Sequence, residues 1–257
     1  MYLEFKNLKI SYEKHNVIKD FNLNINKGEI ISIIGKNGTG KSTILKSIIK
    51  ILKIEEGQIN LEKKNIKDYK LKELAKKIAF MSQQKRTYSS LKVKTLVSYG
   101  RYPHLKFGKF LSNHDKDIID DSLKKTGIFH LKDKYVTKLS GGELQRAWIA
   151  MAICQEPEIL ILDEPTTYLD IAYQIELLEL IKELNQKLKM TIIMVLHDIN
   201  LASRYSNKIY ALKNKKIHAG GEVLEVINLK TLKEVFDING KIYYDQENKC
   251  PFFIPQK

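Results

Sequence analysis

Three short stretches carry residue types that could do chemistry together. The first is Gly35-Lys36-Asn37-Gly38-Thr39-Gly40-Lys41-Ser42, followed by Thr43. Its glycines let the backbone wrap round phosphate oxygens, so that successive N–H groups point inward. The motif needs a strand before it and a helix after it, and both are expected here. Glu29–Ile34 places four isoleucines round a single serine, the pattern of a buried strand, and Lys41–Leu52 has helical spacing. A helix N-terminus adds partial positive charge at the same point. Lys41 is expected to reach the β- and γ-phosphates, and the Ser42 hydroxyl to coordinate Mg²⁺.

The second stretch is the apolar run Ile159–Leu162 closed by Asp163 and Glu164. Open parallel sheets bind ligands at the C-terminal ends of their strands. Asp163 is therefore a candidate to hold Mg²⁺ through water, and Glu164 a candidate general base for an attacking water. Pro165 fixes the chain's exit. The plain alternative is a pair of surface acids in a turn.

The third stretch is Leu139-Ser140-Gly141-Gly142-Glu143. Ser140 and Glu143 have the spacing of a capping box. A serine at a helix N-terminus with two glycines behind it is also suited to bind a γ-phosphate, and the two readings are compatible.

The elements that must position these residues follow from the pattern of the chain. Residues 2–12 and 16–25 are expected as strands, with further strands at 57–61, 78–82 and 191–196. Helices are expected at 93–100, 114–126, 141–155, 170–188 and 199–204. Strands alternating with helices imply an α/β fold with a parallel sheet. A helical subdomain is inferred from about Gln84 to about Leu139, and a small mixed appendage from residue 227 to 257.

At 257 residues, 43% apolar and 29% charged, the chain has enough apolar mass for a core. Its longest apolar runs are too short to cross a bilayer, and the start lacks the flank of a secretory signal. A cytosolic chain is expected, and Cys154 and Cys250 show no metal-ligand spacing. Half of the net charge of +14 falls between Lys85 and Asn113, as Lys85, Arg86, Lys92, Lys94, Arg101, Lys106 and Lys109 without an acid. Solvated surface lysines are the simple reading. A patch that faces nucleic acid, an acidic protein surface or anionic lipid headgroups is the sharper one, with membrane proximity preferred among the three. No nucleic-acid partner is expected, because no helix-turn-helix, zinc or RNA-recognition motif accompanies the charge.

The three stretches together resemble the ATP-binding cassette (ABC) ATPases over nearly the whole chain. That resemblance implies a P-loop NTPase with a mixed or parallel sheet and an inserted helical subdomain, spanning residues 1–226. It implies ATP and Mg²⁺ as cofactors, with Lys41, Glu164 and His197 catalytic and Ser42, Gln83 and Asp163 on the metal. Gln83 matches the family's glutamine loop, with the adjacent Gln84 as the alternative. His197 resembles the switch histidine that contacts γ-phosphate. Tyr12 matches the aromatic on which adenine stacks, and Asp170 the loop that crosses to a partner cassette. Gly35, Asn37, Gly38, Thr39, Gly40, Thr43, Gly141 and Gly142 complete the nucleotide contacts. By resemblance, Ser140 of one copy faces ATP held by Lys41 of another in a head-to-tail pair.

Tyr99-Gly100-Arg101-Tyr102-Pro103-His104, Glu164–Ile171 and Val195–Ala202 are similar to the ATPase subunits of iron-siderophore importers, with cobalamin and haem importers close behind. Such subunits work at the cytoplasmic membrane face with a many-helix permease and an extracytoplasmic binding protein. A soluble ABC ATPase acting on ribosomes or DNA is the alternative from another class. Glu143 departs from the family's commoner glutamine and is expected to add negative charge near the γ-phosphate.

Overall fold

The computed structural model describes residues 1–12, 15–83, 91–106 and 110–256. Along the chain run β1 (Leu3–Tyr12), β2 (His15–Ile25), β3 (Ile30–Gly35), α1 (Lys41–Ile48), β4 (Glu56–Leu61) and β5 (Lys64–Asn65). Next come α2 (Leu71–Lys77), β6 (Ile78–Met81), α3 (Val93–Ser98), α4 (Asn113–Lys125), α5 (Gly141–Cys154), β7 (Ile159–Asp163) and α6 (Ile171–Leu188). Then follow β8 (Thr191–Val195), α7 (Ile199–Tyr205), β9 (Lys208–Lys213), β10 (Lys216–Glu222), α8 (Val223–Val226), α9 (Leu229–Phe236), β11 (Asn239–Asp245) and β12 (Cys250–Gln256). The chain forms two compact units, one of residues 1–69 with 191–257 and one of residues 70–190.

In the first unit, β2, β1, β4 and β5 make an antiparallel sheet in that order. β3 lies parallel to both β8 and β9, and β10 turns back antiparallel on β9. Every residue of β3 and of β8 is buried, as strands covered on both faces must be. α1 stops at Ile48, short of the expected Leu52, because Lys50 turns left-handed (φ 61°). The Lys50 ammonium then donates to the carbonyls of Lys67 and Tyr69. The β9–β10 hairpin, which the sequence pattern did not yield, turns on Asn214 and Lys215, both at positive φ.

In the second unit, β6 and β7 pair in parallel. Helices α3, α4 and α5 bury a common core that includes Val93, Val97, Ile119, Leu123, Ala147 and Ala150. Ile118, Ile119, Leu123 and Thr126 recur at helical spacing; the last three are buried, while Ile118 is half-buried at the edge of the same core. Among the described residues no helix is long and apolar enough to cross a membrane.

The basic stretch differs from its sequence reading. Lys85, Arg86 and Lys109 lie outside the described residues. Arg101 is not a surface charge: it is 3% exposed, and its guanidinium meets Asp115 at 2.9 Å and Glu156 at 2.8 Å. Lys94 pairs with Asp120 at 2.9 Å. Charge counting sees neither partner, since both acids of Arg101 lie outside the stretch.

The Arg101 cluster has a measurable signature. Hydrogen bonds from Ser112, helped by Arg101, hold the Asp115 carboxyl down at about 2 against burial, which pushes it up. The folded value lies below the unfolded one, so this stabilisation is full above about pH 4 and is lost as pH falls toward about 2. Arg101→Ala strands Asp115 in the core and is expected to cost about 3–5 kcal/mol in urea unfolding. A cost under about 1 kcal/mol would show the pair to be solvent-screened.

Candidate functional site

The phosphate-binding loop is built at the end of β3. Gly40 sits left-handed at φ 98°, and a Cβ there would meet Ile18 at 2.5 Å, so only glycine fits. The Lys41 ammonium folds back over its own loop, donating to the carbonyls of Gly35 at 2.8 Å and Lys36 at 3.0 Å. This lacing holds the loop closed with the charge inside it, and Lys41 is 5% exposed. The Thr39 hydroxyl donates to the Lys36 carbonyl. Asn37 and Gly38 are exposed on the outer side of the loop, while Ser42 and Thr43 are half-buried at the start of α1. His197 belongs to the same unit. It is exposed, just past β8 and just before Asp198, whose carboxylate caps α7 by accepting the Leu201 N–H. The Tyr12 side chain lies outside what the structure describes, as does Gln84.

The second unit carries the acids, the glutamine and the Ser-Gly-Gly loop. β7 is buried throughout and delivers Asp163, 3% exposed, at its end. Glu164 then turns left-handed at φ 53°, which swings its carboxylate off the strand line. One Glu164 oxygen accepts from the Gln83 amide at 2.5 Å and from the Thr167 hydroxyl at 3.2 Å. The Gln83 amide nitrogen is thereby engaged by Glu164. Gln83 and Gly141 also share a cleft of about 400 Å³ with Thr167, Tyr168 and Leu169. Asp170 is exposed and opens α6.

Ser140 forms the capping box of α5. Its hydroxyl accepts the Glu143 N–H at 3.3 Å, and Glu143 accepts the Ser140 N–H at 2.8 Å. Gly142 permits a close approach, since a Cβ there would meet the Tyr173 ring at 3.0 Å. The Ser140 N–H holds the Glu143 carboxyl below its ordinary value, with Lys134 adding to the effect from 3.6 Å. The Glu143 charge is therefore engaged by the cap and by Lys134 at its own helix end.

Several positioning residues escaped the sequence reading. Thr167 orients Glu164. Buried Gln145 donates to the Pro165 carbonyl, tying α5 to the turn that follows the acids. Arg101 donates to the Cys154 carbonyl and His104 meets the Gln155 carbonyl, each at 2.9 Å, so the far end of α5 is held as well. Cys154 is inert there, its thiol pushed up to about 11 by burial. The Tyr-Gly-Arg-Tyr-Pro-His spacing was the available signal for this clamp.

Taken unit by unit, Ser42 in the first offers a hydroxyl, and Gln83 and Asp163 in the second offer an amide oxygen and a carboxylate. Each is a hard oxygen donor of the kind Mg²⁺ takes.

Comparison with known proteins agrees with this chemistry. Residues 18–167 match the family described as ABC transporter. The petrobactin import ATP-binding protein FpuD of Bacillus anthracis is 42% identical over 98% of this chain and 93% of its own. The iron(3+)-hydroxamate import ATP-binding protein FhuC of Bacillus subtilis (strain 168) is 42% identical over 97% of this chain and 93% of its own. A dimeric ATP-binding cassette solved in a post-hydrolysis state with ADP and Pi superposes with a TM-score of 0.73 at 30% identity, covering 86% of this chain and 98% of that one. The chain belongs to the ABC transporter family, as an ATP-binding and ATP-hydrolysing subunit.

Glu143→Ala removes half of the capping box and is expected to lower stability by about 1 kcal/mol in urea unfolding. The Glu143 value is depressed in the fold, so the difference from wild type is full above about pH 4 and shrinks as pH falls below it. A difference that grows in acid would contradict the cap.

Proposed function

We propose that this chain is the ATP-hydrolysing subunit of an importer that moves ferric siderophores through a separate membrane permease. The observation that carries the hydrolytic part is the Glu164 carboxylate, held by Gln83 and Thr167 one residue beyond buried Asp163. The cargo rests on likeness over nearly the whole chain to an iron(3+)-hydroxamate import ATP-binding protein. Residues 99–104, 164–171 and 195–202 add to that support.

The reaction divides among the chain's own residues. Inward N–H groups of Gly35–Thr43 and the Lys41 ammonium bind the β- and γ-phosphates. Tyr12 stacks on adenine. Ser42, Gln83 and Asp163 hold Mg²⁺, which when bound neutralises phosphate charge. Glu164 orients a water and takes its proton as the water oxygen bonds to the γ-phosphorus and the bond to the ADP oxygen breaks. His197 contacts the γ-phosphate as its charge redistributes. Ser140, Gly141 and Gly142 of a second copy close the site, with Asp170 on the loop that crosses between copies.

One ATP-binding cassette, 30% identical to this chain, is dimeric in two solved structures, which supports this pairing. In this reading the chain works at the cytoplasmic face of the membrane. An extracytoplasmic binding protein supplies the cargo, and Gln83 passes the nucleotide state to the helical subdomain near residues 84–139. The chain needs no nucleic acid.

Lys41→Ala is expected to abolish binding of a fluorescent ATP analogue, and retained binding would place the phosphates elsewhere. In cells lacking this chain, uptake of labelled ferric siderophores is expected to return with wild type and not with Glu164→Gln. Undiminished uptake without the chain, in cells with no second importer, would remove the iron cargo. Cobalamin and haem complexes would then be the cargoes to test.

A further inference from the structure

The end of α9 meets the phosphate loop across a cavity of about 410 Å³, a space the chemistry above does not use. Three walls enclose it, and each is held by its own bonds. Lys36 and Thr39 of the loop form the first, where the Lys36 carbonyl accepts from both Lys41 and Thr39. Lys213 and Asn214 at the β9–β10 turn form the second. That turn is pinned to β2, where the Lys19 N–H donates to the Lys215 carbonyl at 3.0 Å. Lys233, Glu234 and Asp237 at the end of α9 form the third. His218 of β10 meets Glu234 at 2.6 Å and ties this helix down.

The charges on these walls do not cancel. Asp237 is taken by Lys233 at 2.9 Å, and Glu234 by His218. Lys36 and Lys213 are left over, and among the described residues neither forms an ion pair. Asp237 registers both of them: its bond to Lys233, joined by the charges of Lys36 and Lys213, holds its carboxyl below the ordinary value. Two unpaired ammonium groups on separate walls match a dianion. The volume falls within the range of about 300–1,000 Å³ usual for small-molecule sites and far exceeds a bare phosphate ion. The ligand that fills it carries a carbon body, with Leu212 and Val235 on the apolar side of the cavity.

We propose that this cavity binds a small organic dianion, a phosphomonoester or a dicarboxylate, and that its occupancy loosens the loop's hold on ATP. The second part rests on the reading that the loop holds the ATP phosphates. It follows from charge and from contact. The ligand offsets the Lys36 charge beside those phosphates. No side chain separates the loop from the turn: a Cβ on Gly35 would meet the Leu212 carbonyl oxygen at 2.7 Å, and the Gly35 carbonyl in turn accepts the Lys41 ammonium. Ligand and ATP weaken each other equally, because coupling between two sites is reciprocal.

The test measures binding of a fluorescent ATP analogue with Mg²⁺ to the full chain carrying Glu164→Gln. Glycerol 3-phosphate or succinate is added at fixed ionic strength, which removes simple screening. The dissociation constant of the analogue is expected to rise about two- to five-fold and then level off, as it does when the ligand has a site of its own. Whichever of the two acts at the lower concentration identifies the source as a phosphate or a carboxylate. Lys213→Gln is expected to raise the concentration needed by about two- to five-fold. Asp237→Asn frees Lys233 and keeps a residue tolerant of left-handed φ, so it is expected to lower that concentration. Opposite shifts with unchanged melting temperatures separate binding from lost structure. A constant that rises without levelling puts the ligand in the phosphate loop itself and overturns the proposal. So does the absence of any response at millimolar ligand, or a response indifferent to both substitutions. Analogue binding that survives Lys41→Ala removes the loop reading and the second part of the proposal with it.

Discussion

Strands buried on both faces tolerate polar side chains only where each finds a partner, as Ser32 does in Ser206, and this constraint organises the whole chemistry. β3, β7 and β8 are apolar almost throughout, so polar function gathers where each strand ends. β3 ends in the phosphate loop, β7 in Asp163 and Glu164, and β8 just before His197. The strands supply rigidity, and the turns after them supply chemistry. Backbone conformation then aims the groups. Gly40 and Glu164 both adopt positive φ, one to wrap a loop and the other to redirect a carboxylate.

A second constraint acts on the helix behind Ser140. A helix end is a useful phosphate donor only if it is held still. α5 is held at its N-terminus by the Ser140–Glu143 box, along its length by Gln145 on the Pro165 carbonyl, and at its C-terminus by Arg101 and His104. Arg101 joins this helix to α4 through Asp115, so the cluster links the Ser-Gly-Gly loop to the helical core. The buried ion pair is tolerable because Asp115 also accepts from Ser112 and Arg101 also donates to a backbone carbonyl.

Residues whose chemistry depends on local spacing were legible in the sequence. The phosphate loop, the acid pair and the capping box each declare themselves within a few positions, with their strands and helices. What depends on distant partners was not legible. Arg101 reads as one cation in a basic run because Glu156 lies fifty-five residues away. α1 reads too long because nothing in Ile49–Leu52 announces the left-handed turn at Lys50. The hairpin after residue 238 has short strands with prolines and an alternation too brief to separate from loop. Thr167 and Gln145 are unremarkable as letters and matter only through what they touch.

The central claim is that each ATP site is completed by the other copy of the chain. Mixing purified Lys41→Ala with purified Ser140→Ala tests it most directly, with ATP hydrolysis as the readout. Each variant alone breaks both sites of its own pair. A mixed pair keeps one site intact, built from the Lys41 of one copy and the Ser140 of the other. The account predicts that hydrolysis reappears on mixing and tracks the fraction of mixed pairs. A mixture as inactive as its components would place Ser140 and Lys41 in the same copy's site and contradict the account.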